Sequence, residues 1–469
     1  MCNDKHEQFI DFRNKYPKFI YSGYHISESN KLLCLDFHFV IPGLAEFKPH
    51  WDIVKPNSFL VDIKDKRLNE LVFSLGMVEL VSYWKLTCSP EVSVACGSLS
   101  EEQSGWWKKL YQKGLGEFFY TNGIKIDNDF MKIICQKSYC YSPKENKVGD
   151  NNTKVLIPIG GGKDSAVTLE LLKGYAERFC YIINPRKATI DTVSVSLIPD
   201  KNVIIANRSL DDNLIALNKQ GFLNGHTPFS AIVAFSSVIA AYIYEIEFIA
   251  LSNESSASES TVLGTDVNHQ YSKSLEFESD FIAYEAKYIS SGVKYFSLIR
   301  PLTEMGIAKI FSRLEKYHSI FQSCNVGSKK DIWCACCSKC LFVYIILTPF
   351  LSEDKLINIF KRNMLNDSEL IPIFEKLIGL QPEKPFECVG SCDEVNAAMQ
   401  ELIFQHKLYN IPLPKLAKYY QGLGIECNYD ISKMCDNYDE NNHVPEKFIP
   451  ALKNRFTEIG VENDGGIVV

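Results

Sequence analysis

The sequence predicts an α/β protein built around a doubly wound parallel sheet, and three observations support this fold class. Short apolar segments alternate with helical patterns from residue 154 to about residue 350. The helical pattern at residues 228–244 is apolar on nearly all sides, as expected of a buried helix. A run of three glycines follows the first of these strands and precedes a helix. Such alternation is typical of a parallel sheet with helices on both faces, whose ligands bind at the carboxyl ends of the strands.

Length and composition predict three regions. The chain has 469 residues, which is more than one ordinary hydrophobic core holds. A polar stretch at residues 142–153 is the predicted linker between the first two regions. The regions are an N-terminal α+β module at residues 1–150, a sheet domain at residues 151–350 and a C-terminal helical region with a polar tail at residues 351–469.

The individual elements follow from periodicity and from helix-start signals. Alternating apolar residues predict strands in the N-terminal region, and short apolar runs predict buried strands after the linker. The predicted strands are residues 31–40, 91–96, 154–159, 181–183, 203–206 and 247–251. Ser100 and Gln103 form a capping box, which predicts a helix that runs through Leu115. Two further helices are predicted at residues 165–179 and 228–244.

Charge and hydropathy exclude several functional classes. The formal net charge of −7 argues against a nucleic-acid scaffold. The longest apolar stretches, residues 229–251 and 340–351, are interrupted by polar groups or too short to span a membrane. Residues 1–12 are charged and predict no secretory signal. We therefore expect a cytoplasmic protein without membrane or nucleic-acid partners, whose 16 cysteines are free thiols or metal ligands rather than disulfides.

The most informative segment is a glycine turn that leads into a helix. It consists of Gly160, Gly161, Gly162, Lys163, Asp164 and Ser165. Glycines let the backbone approach a bulky anion, and the N–H groups at the helix start point at that anion. Asp164 is expected to help hold Mg²⁺, while Lys163 and Ser165 are expected to donate to phosphate oxygens. The turn therefore predicts a binding site for the pyrophosphate part of a nucleotide.

Spacing distinguishes between two kinds of phosphate loop. A Walker loop requires glycine at position 157 and Ser or Thr at position 164, where this chain has Ile157 and Asp164. The turn instead resembles the Ser-Gly-Gly-x-Asp-Ser loop of enzymes that cleave ATP to AMP and pyrophosphate. Gly160 stands where that pattern has Ser, so one side-chain contact to phosphate is absent.

Four cysteines have the spacing of metal ligands. Cys324, Cys334, Cys337 and Cys340 form the pattern C-x9-C-x2-C-x2-C, and four thiolates can close a tetrahedral zinc site. Such a site has no open position for water, so its predicted role is structural. An iron–sulfur cluster has the same ligands, and a set of buried thiols is the remaining alternative.

The phosphate loop together with the cysteine pattern resembles the 7-cyano-7-deazaguanine synthase group of ATP pyrophosphatases. Other motifs point to a narrower family. They are residues 114–118 with Tyr120, Asn122 and Gly123, residues 224–228, 252–258, 267–273, 300–304, 333–340 and 384–390. Over roughly residues 110–395 these motifs resemble the UDP-N-acetylmuramoyl-L-alanyl-L-glutamate epimerase family of bacterial cell-wall synthesis (the MurL type). The resemblance implies a fold like that of the adenine nucleotide alpha hydrolases.

That resemblance implies ATP-dependent inversion of the terminal L-glutamate of a UDP-muramoyl dipeptide, with release of AMP and pyrophosphate. Adenylation of the carboxylate removes its negative charge, so the adjacent proton becomes easier to remove. A base and a proton donor are then needed on opposite faces of the α-carbon. The candidates are His226, His269 and Cys388, with Glu254 to activate water or hold Mg²⁺.

Other interpretations of these residues stay open at the level of sequence. Lys273 and Arg300 are candidate anchors for the UDP pyrophosphate or the leaving pyrophosphate. His226 and His269 are alternatively turn histidines bonded to backbone, and Cys388 a buried thiol. The alternative activities are another adenylating reaction, such as ligation or tRNA base modification, and a non-catalytic nucleotide-binding module. The sequence predicts no oligomeric state.

Overall fold

The computed structural model describes residues 2–135, 153–425 and 429–455. The strands are β1 (Lys18–Ser29), β2 (Leu32–Ile41), β3 (Ala45–Phe47), β4 (His50–Val54), β5 (Glu91–Val94), β6 (Lys132–Cys135), β7 (Lys154–Pro158), β8 (Glu177–Ile183), β9 (Val203–Ser209), β10 (Phe248–Leu251) and β11 (Lys294–Ser297). The helices of the first two thirds are α1 (Cys2–Lys15), α2 (Lys66–Glu79), α3 (Val81–Trp84), α4 (Glu101–Gly114), α5 (Gly116–Thr121), α6 (Lys163–Leu171), α7 (Lys187–Val195), α8 (Asp212–Lys219), α9 (Phe229–Ile243), α10 (Leu275–Tyr284), α11 (Glu304–Ser312) and α12 (Glu315–His318).

The last third of the described chain is helical, as predicted. Its helices are α13 (Ser338–Leu347), α14 (Glu353–Phe360), α15 (Ile371–Leu377), α16 (Cys392–Leu408), α17 (Lys415–Gly422), α18 (Ile431–Asp436) and α19 (Ile449–Lys453). Short 3-10 helices occur at Asp200–Asn202, Ser255–Ser258, Tyr271–Lys273, Ser328–Lys330, Met364–Asn366, Ser368–Leu370 and Glu446–Phe448, and a π-helix at Glu285–Ile289. Among the helices of the described residues, none combines the length and apolar character needed to cross a bilayer.

One sheet runs through the molecule, in the strand order β11-β10-β7-β8-β9-β4-β2-β1-β5-β6, with β3 paired to β2. The strands from β11 to β9 pair in parallel. Their order across the sheet is β9-β8-β7-β10-β11. If these five strands are numbered by their position along the chain, the order is 3-2-1-4-5, which is typical of doubly wound sheets. The predicted α/β class is therefore confirmed.

The sheet as a whole is mixed, which differs from the predicted parallel sheet. β4 of the N-terminal region pairs antiparallel with β9, with Trp51 opposite Arg208. The strands before residue 136 thus continue the same sheet. The periodicity of β4 shows that it has one buried face but not which distant strand it joins, so the pairing could not be predicted. The predicted linker falls on residues outside the described ranges, except for Thr153.

Alternate residues of the parallel strands enter two separate cores, so both faces are covered by helices. Leu156 of β7 belongs to a core shared with α2 and α9, which also takes the buried aromatic residues of the N-terminal strands. Val155 and Ile157 belong to the other core, shared with α6, α11 and α13. Because β7, β10 and β11 pair in parallel, their carboxyl ends lie at one edge of the sheet, where the predicted ligand-binding residues follow.

Two predicted elements needed correction. The helix predicted at residues 165–179 ends at Leu171, because Gly174 adopts a left-handed turn with φ +85° and β8 begins at Glu177. Phe179, the last residue of the predicted helix, belongs to that strand instead. Residues 184–202, for which no element was predicted, contain α7. In contrast, the capping box at Ser100 and Gln103 starts α4 as predicted.

Candidate active site

The glycine turn lies between the end of β7 and the start of α6. Gly161 has φ +81°, and a Cβ there would lie 3.1 Å from the carbonyl carbon of Ala188 and 3.2 Å from Thr189 N, so only glycine fits without strain. Gly162 is the N-cap residue of α6, and it has no side chain that could bind the N–H groups of the first helical turn. The first N–H groups of α6 are therefore open to an external acceptor, which is the arrangement expected for a phosphate.

The Lys163 side chain is committed to protein carboxylates. Its Nζ lies 2.5 Å from Glu304 Oε2 and also contacts Asp164, and the Lys163 and Glu304 side chains are 2% and 1% exposed. Burial opposes its charge, but Asp164 and Glu304 outweigh that effect and raise the pKa of Lys163. Ser165 Oγ donates to Gly162 O across 3.0 Å. The Asp164 side chain is 26% exposed. Of the three side chains Lys163, Asp164 and Ser165, it is therefore the one that could contact a Mg²⁺ ion bound to phosphate.

A thiol and an ammonium group lie beside the loop. Lys273 Nζ donates to Cys388 Sγ across 3.2 Å. Burial raises the pKa of the Cys388 thiol, but the charge of Lys273, a hydrogen bond with His269 and the charge of Lys339 together lower it to about 6. Burial raises the pKa of Asp164, but the charges of Lys163, Lys339 and Lys273 together lower it, so Lys273 lies close to the loop. The phosphate loop and the Cys388 thiol are therefore parts of one site.

The two candidate histidines meet at a single carboxylate oxygen. Glu117 Oε2, on α5, lies 2.5 Å from His269 Nδ1 and 3.2 Å from His226 Nδ1. The centroids of the two rings are 4.6 Å apart. The side chains of His226, Glu117 and His269 are 21%, 17% and 12% exposed, so the cluster is accessible to solvent.

The two rings differ in charge. Burial lowers the pKa of His269, but hydrogen bonds to Cys388 and Glu117 outweigh it and raise that pKa to about 9. Burial and the neighbouring charge of His269 lower the pKa of His226 to about 4. At neutral pH the site thus holds an imidazolium, a neutral imidazole and a thiolate, which can exchange protons with a substrate.

Close packing fixes the turn that carries His226 onto α5. A Cβ at Gly225 would lie 3.1 Å from Phe118 Cδ2, so the turn backbone reaches the helix surface. Asn122 Nδ2, which follows α5, donates to Asn224 O across 3.1 Å. Lys85 Nζ binds Gly225 O and donates to the Thr227 hydroxyl oxygen across 2.8 Å. The N-terminal region thereby positions one histidine and supplies the carboxylate that both share.

Two predicted site residues are enclosed by the protein. Arg300 is 1% exposed; it donates to the backbone oxygens of Glu254 and Lys273 and pairs with Glu278 Oε2 at 3.0 Å. Its guanidinium therefore holds the segments that carry Glu254 and Lys273 in place. The sequence had predicted a different role for Arg300, as a direct anchor for pyrophosphate. Glu254 is 3% exposed and lies near Lys273 and Glu304.

The four cysteine sulfurs converge. Cys324 Sγ lies 3.9 Å from Cys337 Sγ, and Cys340 Sγ lies 3.6 Å from Cys334 Sγ and 3.5 Å from Cys337 Sγ. Two thiolates bound to one tetrahedral zinc at about 2.3 Å are about 3.8 Å apart, so the spacing fits a Zn²⁺ ion. Gly327 N donates to Cys324 Sγ across 3.1 Å. The predicted ligands are thus together, and the donor set suits zinc.

The cysteine cluster adjoins the segment that carries the Cys388 thiol. Lys339 lies between the predicted ligands Cys337 and Cys340, and its Nζ binds the Cys388 carbonyl oxygen. The backbone N–H of Lys339 donates to Glu387 Oε2 across 2.5 Å. A metal bound by the four cysteines would therefore hold the start of α13 and, through Lys339, the Cys388 segment in one arrangement.

The cysteine cluster also adjoins the glycine turn. Gln322 N, two residues before Cys324, donates to Gly161 O across 2.8 Å. A Cβ at Gly162 would lie 3.3 Å from Ser323 Cβ, so the segment that leads into Cys324 lies directly on the turn. The turn is therefore held from two sides, by α7 at Gly161 and by residues 322–323.

The Glu117, His226 and His269 side chains form a second group whose ligand atoms lie within 4.8 Å of one another. Two ligands of a tetrahedral zinc at about 2.1 Å are about 3.4 Å apart. The 2.5 Å separation of Glu117 Oε2 and His269 Nδ1 is much shorter than that. A hydrogen-bonded carboxylate and imidazolium explain this distance better than a metal site does.

Comparison with known proteins gives the family. The family model described as the MurL N-terminal domain matches residues 11–298, and the one described as the MurL C-terminal domain matches residues 318–415. The chain belongs to the MurL family. The resemblance to the MurL family that the sequence motifs indicated is thereby confirmed.

Curated relatives agree with the MurL family models. A UDP-N-acetyl-alpha-D-muramoyl-L-alanyl-L-glutamate epimerase of Xanthomonas oryzae pv. oryzae is 33% identical over 338 residues, which cover 70% of this chain and 73% of the relative. An epimerase of the same name from Micromonospora sp. is 31% identical, over 74% of this chain and 77% of the relative. One from Salinispora tropica is 31% identical, over 71% and 73%. No solved structure matches the chain.

Three residues of the site were missed by sequence reasoning. Glu117 lies within a glycine-flanked motif that also marks the MurL family, and Lys339 lies between two predicted metal ligands. Glu304 follows Arg300 in another of those motifs. A charged residue within a motif gives no sign of its partner, so the roles of these three residues depend on the folded chain.

A separate cavity of about 990 Å³ lies among N-terminal residues. Its lining includes Tyr24, Glu70, Phe73 and Cys96, together with Tyr288. Within the described part of the chain, its lining includes none of the candidate site residues. The cavity is therefore distinct from the site built around the glycine turn and Cys388.

Proposed function

We propose that this chain is an ATP-dependent epimerase of the pyrophosphatase-loop type, which converts the terminal L-glutamate of UDP-N-acetylmuramoyl-L-alanyl-L-glutamate to D-glutamate. The names of the curated relatives support an epimerase acting on this peptidoglycan precursor. The single observation that carries the ATP-dependent mechanism is the adjacency of a glycine turn for phosphate and a thiol paired with Lys273.

The first half of the proposed reaction is adenylation. The glutamate α-carboxylate attacks the α-phosphorus of ATP, an acyl–O–P bond forms, and pyrophosphate leaves. The N–H groups at the start of α6 bind the phosphates, and Asp164 would hold a Mg²⁺ ion, which would supply neutralisation of phosphate charge. Lys163 remains paired with Glu304 and keeps the helix start in place. The adenylate carries no carboxylate charge, so the adjacent α-proton becomes more acidic.

The second half is proton exchange at the α-carbon. The Cys388 thiolate removes the α-proton, and the electron pair moves onto the acyl carbonyl. The substrate enters between the Cys388 and His269 side chains and separates them, so the His269 imidazolium returns a proton to the opposite face, which leaves a thiol and a neutral imidazole. Water then cleaves the acyl–phosphate bond and releases AMP and the D-glutamyl product. After the product leaves, the two side chains meet again and the thiol proton passes to His269, which restores the starting charges.

The metal proposed for Cys324, Cys334, Cys337 and Cys340 is structural zinc. Four thiolates fill a tetrahedral coordination shell, so no position remains for substrate. Zinc bound there would contribute folding free energy and would hold the segments around Lys339 and Gln322 in place.

The decisive experiment is incubation with UDP-N-acetylmuramoyl-L-alanyl-L-glutamate, ATP and Mg²⁺ in deuterated water. We expect D-glutamate with deuterium at the α-carbon, together with AMP in amounts that match the inverted product. Omission of ATP is the control and should leave L-glutamate unlabelled. AMP formation without inversion would favour a ligase, and inversion without AMP would exclude the adenylate route.

A further inference from the structure

The Glu117 carboxylate sets where the His269 ring carries its proton. A carboxylate accepts hydrogen bonds and does not donate them, so a ring nitrogen hydrogen-bonded to it must carry hydrogen. Glu117 Oε2 is hydrogen-bonded to His269 Nδ1 at 2.5 Å, whereas His226 Nδ1 lies 3.2 Å from the same oxygen. His269 is therefore protonated at Nδ1, and its Nε2 is left for other partners.

We infer that Glu117 is a positioning residue that fixes the His269 imidazole in the Nδ1–H form and orients its ring beside Cys388. The catalytic consequence rests on the proposed function, whereas the position of the His269 proton follows from the hydrogen-bond geometry. Glu117 acts through His269, and nothing in the geometry requires it to touch substrate.

The charges around the cluster show why one carboxylate matters. His269 carries positive charge next to the thiolate, and the ammonium groups of Lys85, Lys273 and Lys339 act on the same cluster. Glu117 is the carboxylate that offsets this positive charge at the rings. Without it, a protonated His269 becomes unfavourable, and the Cys388 thiolate loses one of its partners.

Replacement tests the inference through the chemistry of the thiol. In Glu117→Gln, we expect the pH at which Cys388 reacts half-maximally with iodoacetamide to rise by about one unit or more, because an amide cannot stabilise the imidazolium. Peptide mass spectrometry separates Cys388 from other cysteines, and exposed Cys336 serves as an internal reference. Glu117→Asp should restore part of the wild-type profile. Glu383→Gln is the matched control, since Glu383 binds Tyr120 of α5 instead of the histidines.

A measurement on the unmodified chain covers the case in which Glu117→Gln does not fold. In protein labelled with nitrogen-15 histidine, we expect His269 at pH 7 to carry hydrogen at Nδ1. A His269 ring with hydrogen at Nε2 alone would overturn the inference, and so would an unchanged alkylation profile in folded Glu117→Gln. Neither result depends on turnover, so a failure of the proposed epimerase reaction would be seen separately as absent inversion in the wild-type chain.

Discussion

Lys273 and Cys388 form a charge-assisted hydrogen bond of 3.2 Å between residues that are more than one hundred positions apart. Lys273 follows β10 in a 3-10 helix, while Cys388 lies in the segment before α16. The pair joins the sheet domain to the helical region at the site. Its charge state decides whether the thiol can act as a base near neutral pH.

Lys273→Met should move the acid side of the pH–rate profile. The Cys388 thiol has a pKa lowered to about 6, so thiolate is present above that pH and is lost as the pH falls through it. Without the Lys273 charge the pKa moves towards the ordinary value of about 8.5, and inversion at pH 7 should fall about tenfold or more. The pH dependence of kcat/KM measures this shift. Lys287→Met, at an exposed ion pair with Glu102, should leave the profile unchanged.

Gly161→Ala and Gly160→Ala should differ sharply. A methyl group at Gly161 meets backbone atoms of Ala188 and Thr189 at a φ of +81°, which should cost about 1–3 kcal/mol of stability or distort the turn. At Gly160 no atom lies within 4 Å of the added methyl group, so that change should be tolerated. Denaturant unfolding and the KM for ATP distinguish the two. Equal behaviour of both variants would show that the turn does not depend on the Gly161 conformation.

Metal content should depend on Cys337 and not on Cys336. Cys337 Sγ lies within the group of four sulfurs, whereas Cys336 is exposed and outside it. Purified protein should contain about one zinc per chain, and Cys337→Ala should lose it together with thermal stability. Cys336→Ala should retain both. Elemental analysis measures the metal, and full occupancy in Cys337→Ala would contradict the four-cysteine site.

Arg300→Met should destabilise the fold by about 3–5 kcal/mol, because it leaves the enclosed Glu278 carboxylate without its cation. The double variant Arg300→Met with Glu278→Gln should recover part of that loss, since no buried charge then remains unpaired. Arg362→Met, at a partly exposed ion pair with Asp367, should cost about 1 kcal/mol or less. Urea titration gives all three values. A stable Arg300→Met that binds nucleotide poorly would favour the anchor role predicted from sequence.

The site could be predicted where its chemistry lies in neighbouring residues. Strand β7, the glycine turn and the start of α6 are contiguous, so their residue types and spacing indicated an anion-binding turn. The cysteine spacing indicated four ligands for the same reason, and their sulfurs do converge. The end of α6 was predicted incorrectly, because an apolar pattern that continues past Gly174 fits a helix or a strand equally well.

Arg300 and Glu117 show what sequence could not give. A basic residue in a motif suggests a phosphate anchor, yet Arg300 is enclosed and bound to protein groups from three segments. Glu117 precedes His226 and His269 by more than one hundred residues, and no local pattern links them. Both roles depend on which surfaces the core brings together.

Local patterns were enough to predict the α/β class, the glycine turn and the convergence of four cysteines, because each depends on short-range periodicity or on spacing along a few residues. The folded chain was needed to show that N-terminal strands join the parallel strands in one sheet, and that residues from distant segments meet beside the glycine turn. Such long-range pairing depends on how two cores pack on opposite faces of the sheet, and the free energy of that packing is shared among residues throughout the chain.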